Sequence, residues 1–174
     1  MGDGNLSNPN GRAIRLRITC DTKYGELINK IVRSIKELLP NNKVSIVERK
    51  ISYCDISCYS NKWEKWLDWK VGQGTKCDQN IKVPKWIKKN KAYSIECLRG
   101  LFETDGSIYF DRGYKMVILV TCIPNLATDA IEMINNLGFK PHIYKITTTK
   151  RFRFNIRLSK NVDEFIKLIG VQKN

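Results

Sequence analysis

Residues 92–106 read AYSIECLRGLFETDG. At 100° per residue the stretch sorts its side chains onto three faces of a helix. Ile95, Leu98 and Phe102 share one face, suited to packing on a sheet. Glu96, Arg99 and Glu103 form a second, which faces water. Tyr93, Cys97, Gly100 and Thr104 form a third, a stripe of mostly small residues that lets another helix approach closely. Asp105 and Gly106 end the helix, with the carboxylate expected to point out beneath the sheet rather than into the core.

Working outward, the chain repeats itself. An offset of 102 residues carries Gly2-Asp3-Gly4 towards Thr104-Asp105-Gly106 and Thr19-Cys20 onto Thr121-Cys122. The same shift lays Ile31, Val32 and Ile35 on Met133, Ile134 and Leu137. In the first half, period-two and helical patterns predict strands at 5–7 and 14–20, a helix over 22–39 stopped by Pro40, strands at 44–48 and 53–59, and a helix over 61–69. The second half repeats the order. It has strands at 107–110 and 116–122, a helix over 125–137 closed by Gly138, strands at 142–147 and 152–158, and a helix over 162–169. The fold class is therefore α+β, two pseudo-symmetric ββαββα repeats with antiparallel sheets. Residues 1–69 form the first repeat, 70–91 a linker and 92–174 the second. The linker, with two Gly, one Pro and seven Lys over 70–92, reads as a surface segment with one helical turn near Pro84.

The net charge of +14 is spread over both halves, which makes a phosphate backbone the leading partner. No apolar run approaches the roughly 20 residues that span a bilayer, and no signal-peptide pattern opens the chain, so a soluble, intracellular protein with no membrane partner is expected. The six Cys lack paired metal-ligand spacing and read as reduced core thiols, Cys54 and Cys58 being the nearest approach to a zinc half-site.

Alternation supplies the candidate binding faces. Arg15, Arg17 and Thr19 oppose Ile14, Leu16 and Ile18 along one strand. Arg151, Arg153, Asn155 and Arg157 oppose Phe152, Phe154, Ile156 and Leu158 along another, preceded by a turn carrying Thr147, Thr149 and Lys150. Arg is suited to guanine and Asn to adenine in the major groove. Asn5, Ser7, Asn8, Asn10 and Arg12 in one repeat, and Tyr109, Asp111, Arg112 and Lys115 in the other, flank the first hairpin turns and extend the surface. Over 53–59 either the Tyr53, Asp55, Ser57, Tyr59 set or the Cys54, Ile56, Cys58 set could face inward, and the Cys and Ile set is the better core.

LRGLFETDG resembles the signature helix of the LAGLIDADG homing endonucleases, and the duplicated ββαββα body extends that resemblance over nearly the whole chain. The lead-in KVPKWI is also similar to that of two-repeat members. The resemblance implies a saddle of two sheets that grips double-stranded DNA and a site-specific endonuclease that hydrolyses phosphodiester bonds with Mg²⁺ or Mn²⁺, with no small-molecule substrate. It implies that Asp105 and Asp3 are the catalytic, metal-holding acids. Basic residues near the scissile phosphates map onto Lys62 and Lys160. The first motif helix is expected to be missing ahead of Gly2-Asp3-Gly4. Three arrangements follow: a fragment with weakened cleavage, a homodimer through Tyr93, Cys97, Gly100 and Thr104 that brings two copies of Asp105 together, or a different packing of the repeats. The dimer ranks first, because an uncovered stripe is costly to leave wet. The alternative function is a cleavage-deficient nucleic-acid binder of the same fold, such as an intron-splicing maturase, and an intein-derived domain has little support.

Overall fold

The computed structural model describes residues 4–49, 52–147 and 152–171. The chain divides into two compact units that meet between Gln73 and Gly74. In the first unit β1 (Gly4–Ser7), β2 (Arg15–Asp21), β4 (Tyr53–Tyr59) and β3 (Val44–Glu48) form an antiparallel sheet in that order. Helix α1 (Gly25–Leu38) packs on β3 and β4, and α2 (Trp63–Leu67) follows β4.

Alternation decides which face of this sheet is buried. Cys54, Ile56 and Cys58 are at most 1% exposed, and Leu16 and Cys20 of β2 are buried beside them, so the Cys and Ile set of β4 is the core set. Helix α1 starts three residues later than the periodicity predicts. Thr22 N–H is instead bonded to Ser52 O and Tyr24 N–H to Asp21 O, a turn that uses up the first amides. Trp63 closes the unit, its indole N–H donating to Cys58 O at 3.1 Å.

The second unit carries α3 (Lys85–Lys88), α4 (Lys91–Asp105), β5 (Gly106–Asp111), β6 (Tyr114–Thr121), α5 (Pro124–Asn136), β7 (His142–Thr147), β8 (Phe152–Leu158) and α6 (Val162–Ile169). Its sheet has the order β5-β6-β8-β7, the same topology as the first. Helix α4 packs against β5, β6, α5 and α6, burying Leu98, Leu101 and Phe102. The ring of Phe165 on α6 meets those of Phe102 and Phe139 edge-on at 5.3 and 5.1 Å.

Three expectations need correction. Residues 74–90 are not a surface linker, since Ile81 and Val83 are 2% and 1% exposed. Val83 N–H donates to Asp129 Oδ2 at 2.7 Å, and Asn80 binds both the backbone and side-chain amide of Asn125. The lysines suggested solvent, but they flank two apolar anchors. Secondly, Arg99 does not simply face water. Its guanidinium donates to Ile169 O at the end of α6 and pairs with Glu96 at 2.7 Å.

Thirdly, the repeat offset is not constant. Gly4 pairs with Ile18 and Gly106 with Leu119, so the offset of 102 at the first strand becomes 101 at the second. The counterpart of Cys20 is Thr121 rather than Cys122. The cause is the β5–β6 turn, in which Arg112 and Gly113 have φ of 50° and 85°, a two-residue turn of the primed kind in place of the loop over 8–14.

The junction between α4 and β5 has no loop. Gly106 N–H bonds to Phe102 O, and the strand starts at that residue. A Cβ on Gly106 would lie 2.6 Å from Phe102 O and 2.8 Å from Phe102 Cα. Since its φ is −94°, what requires glycine here is close approach and not a left-handed backbone.

Two predictions follow for chemical denaturation. Gly106→Ala should lower stability by about 1–3 kcal/mol through overpacking, whereas Gly100→Ala, with no described atom within 4 Å of the new methyl, should raise it by about 0.5–1 kcal/mol. Equal effects at the two glycines would contradict the close approach. Asp129→Ala should cost about 3 kcal/mol, because it leaves the Val83 amide and the Lys88 ammonium, 2.6 Å from Asp129 Oδ1, without their acceptor.

Candidate active site and nucleic-acid interface

Asp105 is the last residue of α4 and is exposed. Thr104 Oγ1 donates to the carbonyls of Gly100 and Leu101 and lies 3.3 Å from Asp105 Oδ2. The last turn of α4 has no basic residue and carries Glu103 as well as Asp105. Carboxylates at a helix C-terminus sit at the negative end of the macrodipole, where a bound cation is favourable. Among the described residues no group of three or more His, Cys, Asp or Glu side chains could hold a metal ion. Mg²⁺ is typically held by one or two carboxylates with water and substrate phosphate completing the shell, so an exposed carboxylate in this location fits a hard divalent cation. Asp3 lies outside the described residues. Gly4 opens β1 as Gly106 opens β5, so Asp3 precedes its sheet in sequence as Asp105 precedes the other.

The stripe on α4 is largely uncovered. Tyr93 is 50% exposed, Gly100 and Thr104 are exposed, and Cys97 is half-buried, its thiol pKa pushed up by burial. Tyr93 meets Trp86 of α3 edge-on at 5.6 Å. Lys62 and Lys160 are exposed just before α2 and α6, and the Lys62 ammonium lies 5.6 Å from the centre of the Trp66 ring.

The face of the first sheet away from α1 carries the expected polar set. Asn5 pairs with Arg17 and Ser7 with Arg15 across β1 and β2, and Arg15 Nε donates to Ser7 Oγ at 3.2 Å. Asn8, Asn10 and Arg12 are exposed in the following loop. Thr19 opposes Asp55, and its hydroxyl donates to Asp55 Oδ1 at 2.7 Å. Arg49, just after β3, donates to Asp55 Oδ2 through Nε at 3.0 Å and Nη2 at 2.9 Å. Burial raises the Asp55 pKa, but the bonds from Thr19 and Arg49 outweigh it and hold the carboxyl below its ordinary value. Arg17, which adds to that field, has its Nε buried without a partner.

The second sheet presents a different surface. By register Tyr109, Met116, Ile118, Val120, Asn155, Arg157, Tyr144 and Ile146 share the face opposite Leu119 and Ile156. Arg157 donates to Tyr144 Oη at 3.0 Å, with its guanidinium carbon 5.2 Å from that ring's centre. Hydrogen bonding to Tyr109, then the field of Tyr144, raises its pKa. Arg153 is exposed opposite Ile146, and Asn155 is half-buried opposite Tyr144. Asp111 and Arg112 are exposed at the hairpin turn.

Two expected contacts lie elsewhere. Lys115 alternates with Met116 onto the helix side, where its ammonium pairs with Asp163 of α6 at 2.6 Å. Thr147 pairs with Phe152 and shares the parity of the core-facing residues of β8. Thr149, Lys150 and Arg151 lie outside the described residues. Arg49, Asp55 and Tyr144 were not among the expected site residues. Arg49 follows a strand with no periodic mark, and Asp55 is seen only once the register of β4 is fixed.

Residues 92–170 match the family of LAGLIDADG-like domains. Among solved structures, the complex of I-DmoI with DNA and Mn aligns over 99% of this chain and 92% of that one, with a TM-score of 0.69 and 18% identity. Mesophilic variants of the homing endonuclease I-DmoI give 0.67 and 19% over 97% and 88%. Full-length DUF199/WhiA from Thermatoga maritima gives 0.58 and 17% over 99% of this chain and 52% of that one. No curated protein matches the chain in sequence. At these identities the structures speak for fold. The sequence match thus places a LAGLIDADG-like domain at residues 92–170, and the two-repeat fold of the chain is that of I-DmoI.

Proposed function

We propose that the chain is a site-specific double-stranded DNA endonuclease of the homing type, hydrolysing phosphodiester bonds with Mg²⁺ or Mn²⁺. The observation that carries this reading is Asp105. It is an exposed carboxylate fixed at the end of α4 by a junction without a loop, in the repeat whose sequence matches the family. The likeness to I-DmoI structures that contain DNA together with Mn or Mg supports both the partner and the metal class.

In this reading Asp105 supplies one oxygen ligand and Asp3 the second. The identical strand order of the two sheets, each opening on a glycine that follows an aspartate, supports assigning both acids to one chain. A divalent ion bound there would polarise a phosphoryl oxygen and lower the pKa of a coordinated water. Arg15, Arg17, Arg153, Asn155 and Arg157 hold the duplex through base edges and phosphates, and exposed lysines add affinity that falls with salt. Lys62 and Lys160 are assigned to the phosphates nearest the cut. The uncovered stripe of Tyr93, Cys97, Gly100 and Thr104 supports the rival arrangement, a twofold dimer in which the second acid is Asp105 of the partner subunit.

The test is incubation with a randomised duplex library with and without Mg²⁺, with the mass of the DNA complex measured by light scattering. Wild type should enrich and cut a subset of sites, and chelator should abolish cutting while leaving binding. Asp105→Asn should retain binding and lose cutting by at least about 10²-fold. Cutting by Asp105→Asn at the wild-type rate removes the assignment. Binding without cutting by wild type assigns the chain to the cleavage-deficient nucleic-acid binders. One chain per duplex supports Asp3, and two chains support the dimer.

A further inference from the structure

The face assigned to DNA contains an acid that phosphate contact does not explain. Asp55 sits among Arg15, Arg17 and Thr19 by register, with its carboxylate only 8% exposed. A negative charge there works against the phosphate backbone, so its benefit must lie in what it holds. Its two oxygens divide the work, Oδ1 accepting from Thr19 and Oδ2 accepting twice from Arg49. Because Thr19 locks the carboxylate from β2, the carboxylate in turn fixes the plane of the Arg49 guanidinium.

Arg49 is anchored a second time by its backbone, whose N–H donates to Tyr53 O at 3.0 Å. Both side-chain bonds to Asp55 use the Nε and Nη2 edge of the guanidinium. The other edge, Nη1 with the second hydrogen of Nη2, has no bond to a described residue, and the side chain is 48% exposed. A guanidinium pinned along one edge offers two parallel donors along the other, at the spacing that matches O6 and N7 of guanine in the major groove. A free arginine would lose rotamer freedom on making that contact, and a pinned one has already lost it.

We infer that Asp55 is a positioning residue for sequence readout: through Thr19 and Arg49 it presents the free edge of the Arg49 guanidinium to a guanine of the target. This rests on the proposal that the sheet binds duplex DNA, and it adds a specificity determinant that no charge count suggests. A phosphate contact from Arg49 would need neither the pinned plane nor the acid. The sign of the electrostatics separates the two roles, because removing Asp55's charge strengthens general attraction to DNA while releasing Arg49.

The experiment selects duplexes from a randomised library with wild type, Asp55→Asn and Arg49→Lys. It then compares affinity for the selected and for unselected duplex, with the melting temperature of each protein measured alongside. Wild type should show a guanine preference that both variants lose, discrimination at that position falling at least about fivefold. Asp55→Asn should bind unselected duplex as tightly as wild type or more tightly, and Arg49→Lys should keep the wild-type salt dependence. A merely structural role would weaken both kinds of binding together with the melting temperature, and that result overturns the inference. Retention of the guanine preference by both variants overturns it while leaving the DNA-binding reading intact. If wild type enriches no duplex at all, both fall. Should Asp55→Asn fail to fold, loss of the preference in Arg49→Lys with unchanged salt dependence supports the inference, and its retention overturns it.

Discussion

The architecture of the second repeat turns on one close contact, the approach of Gly106 to the backbone of Phe102. A helix and a strand ordinarily need a connection of several residues to change direction. Here Asp105 ends the helix and the next residue enters the sheet, which works only because no side chain stands between Gly106 and Phe102. Phe102 is itself fixed edge-on against Phe165, so the junction is tied to the far side of the core. The backbone that carries the Asp105 carboxylate is thereby tied to that core. Rigidity of that kind is what a metal-holding acid needs, since catalytic groups must be held within a fraction of an ångström of their working position.

The two sheets share a topology and diverge in surface chemistry. Where the first sheet turns Arg15, Arg17 and Thr19 outward, the structurally equivalent positions of the second carry Met116, Ile118 and Val120. Its outward polarity comes instead from β8 and from arginine held against tyrosine. A surface of this composition suits thymine methyl groups as well as hydrogen-bonding edges. The two repeats thus share a frame while their faces differ in chemistry.

Much of this was legible in the chain. The inward Leu98 and Phe102 of α4, the ββαββα order, the bounds of β7, β8 and α6, and the inward Cys and Ile set of β4 all follow from period and punctuation. What escaped has physical reasons. The run MVILV in β6 is apolar on both faces, so period two could not show that Met116 points outward and Lys115 towards α6. The shift from 102 to 101 arises in a turn, and matching Thr-Cys pairs concealed it. Ile81 and Val83 are two apolar residues among lysines, and only their burial and the bonds of Asn80 and Val83 to α5 reveal that the segment is part of the core. Arg49 and Asp55 are joined by register across a hairpin, a relation that local sequence does not carry.

The central claim is that the carboxylate at the foot of α4 holds a divalent ion on a duplex. Crystals of the chain with a library-selected duplex and Mn²⁺, measured at the manganese edge, test it directly. The account predicts an anomalous peak about 2.1 Å from an Asp105 oxygen and within coordination distance of a DNA phosphate. A manganese peak bound to DNA phosphate but away from Asp105 would contradict it.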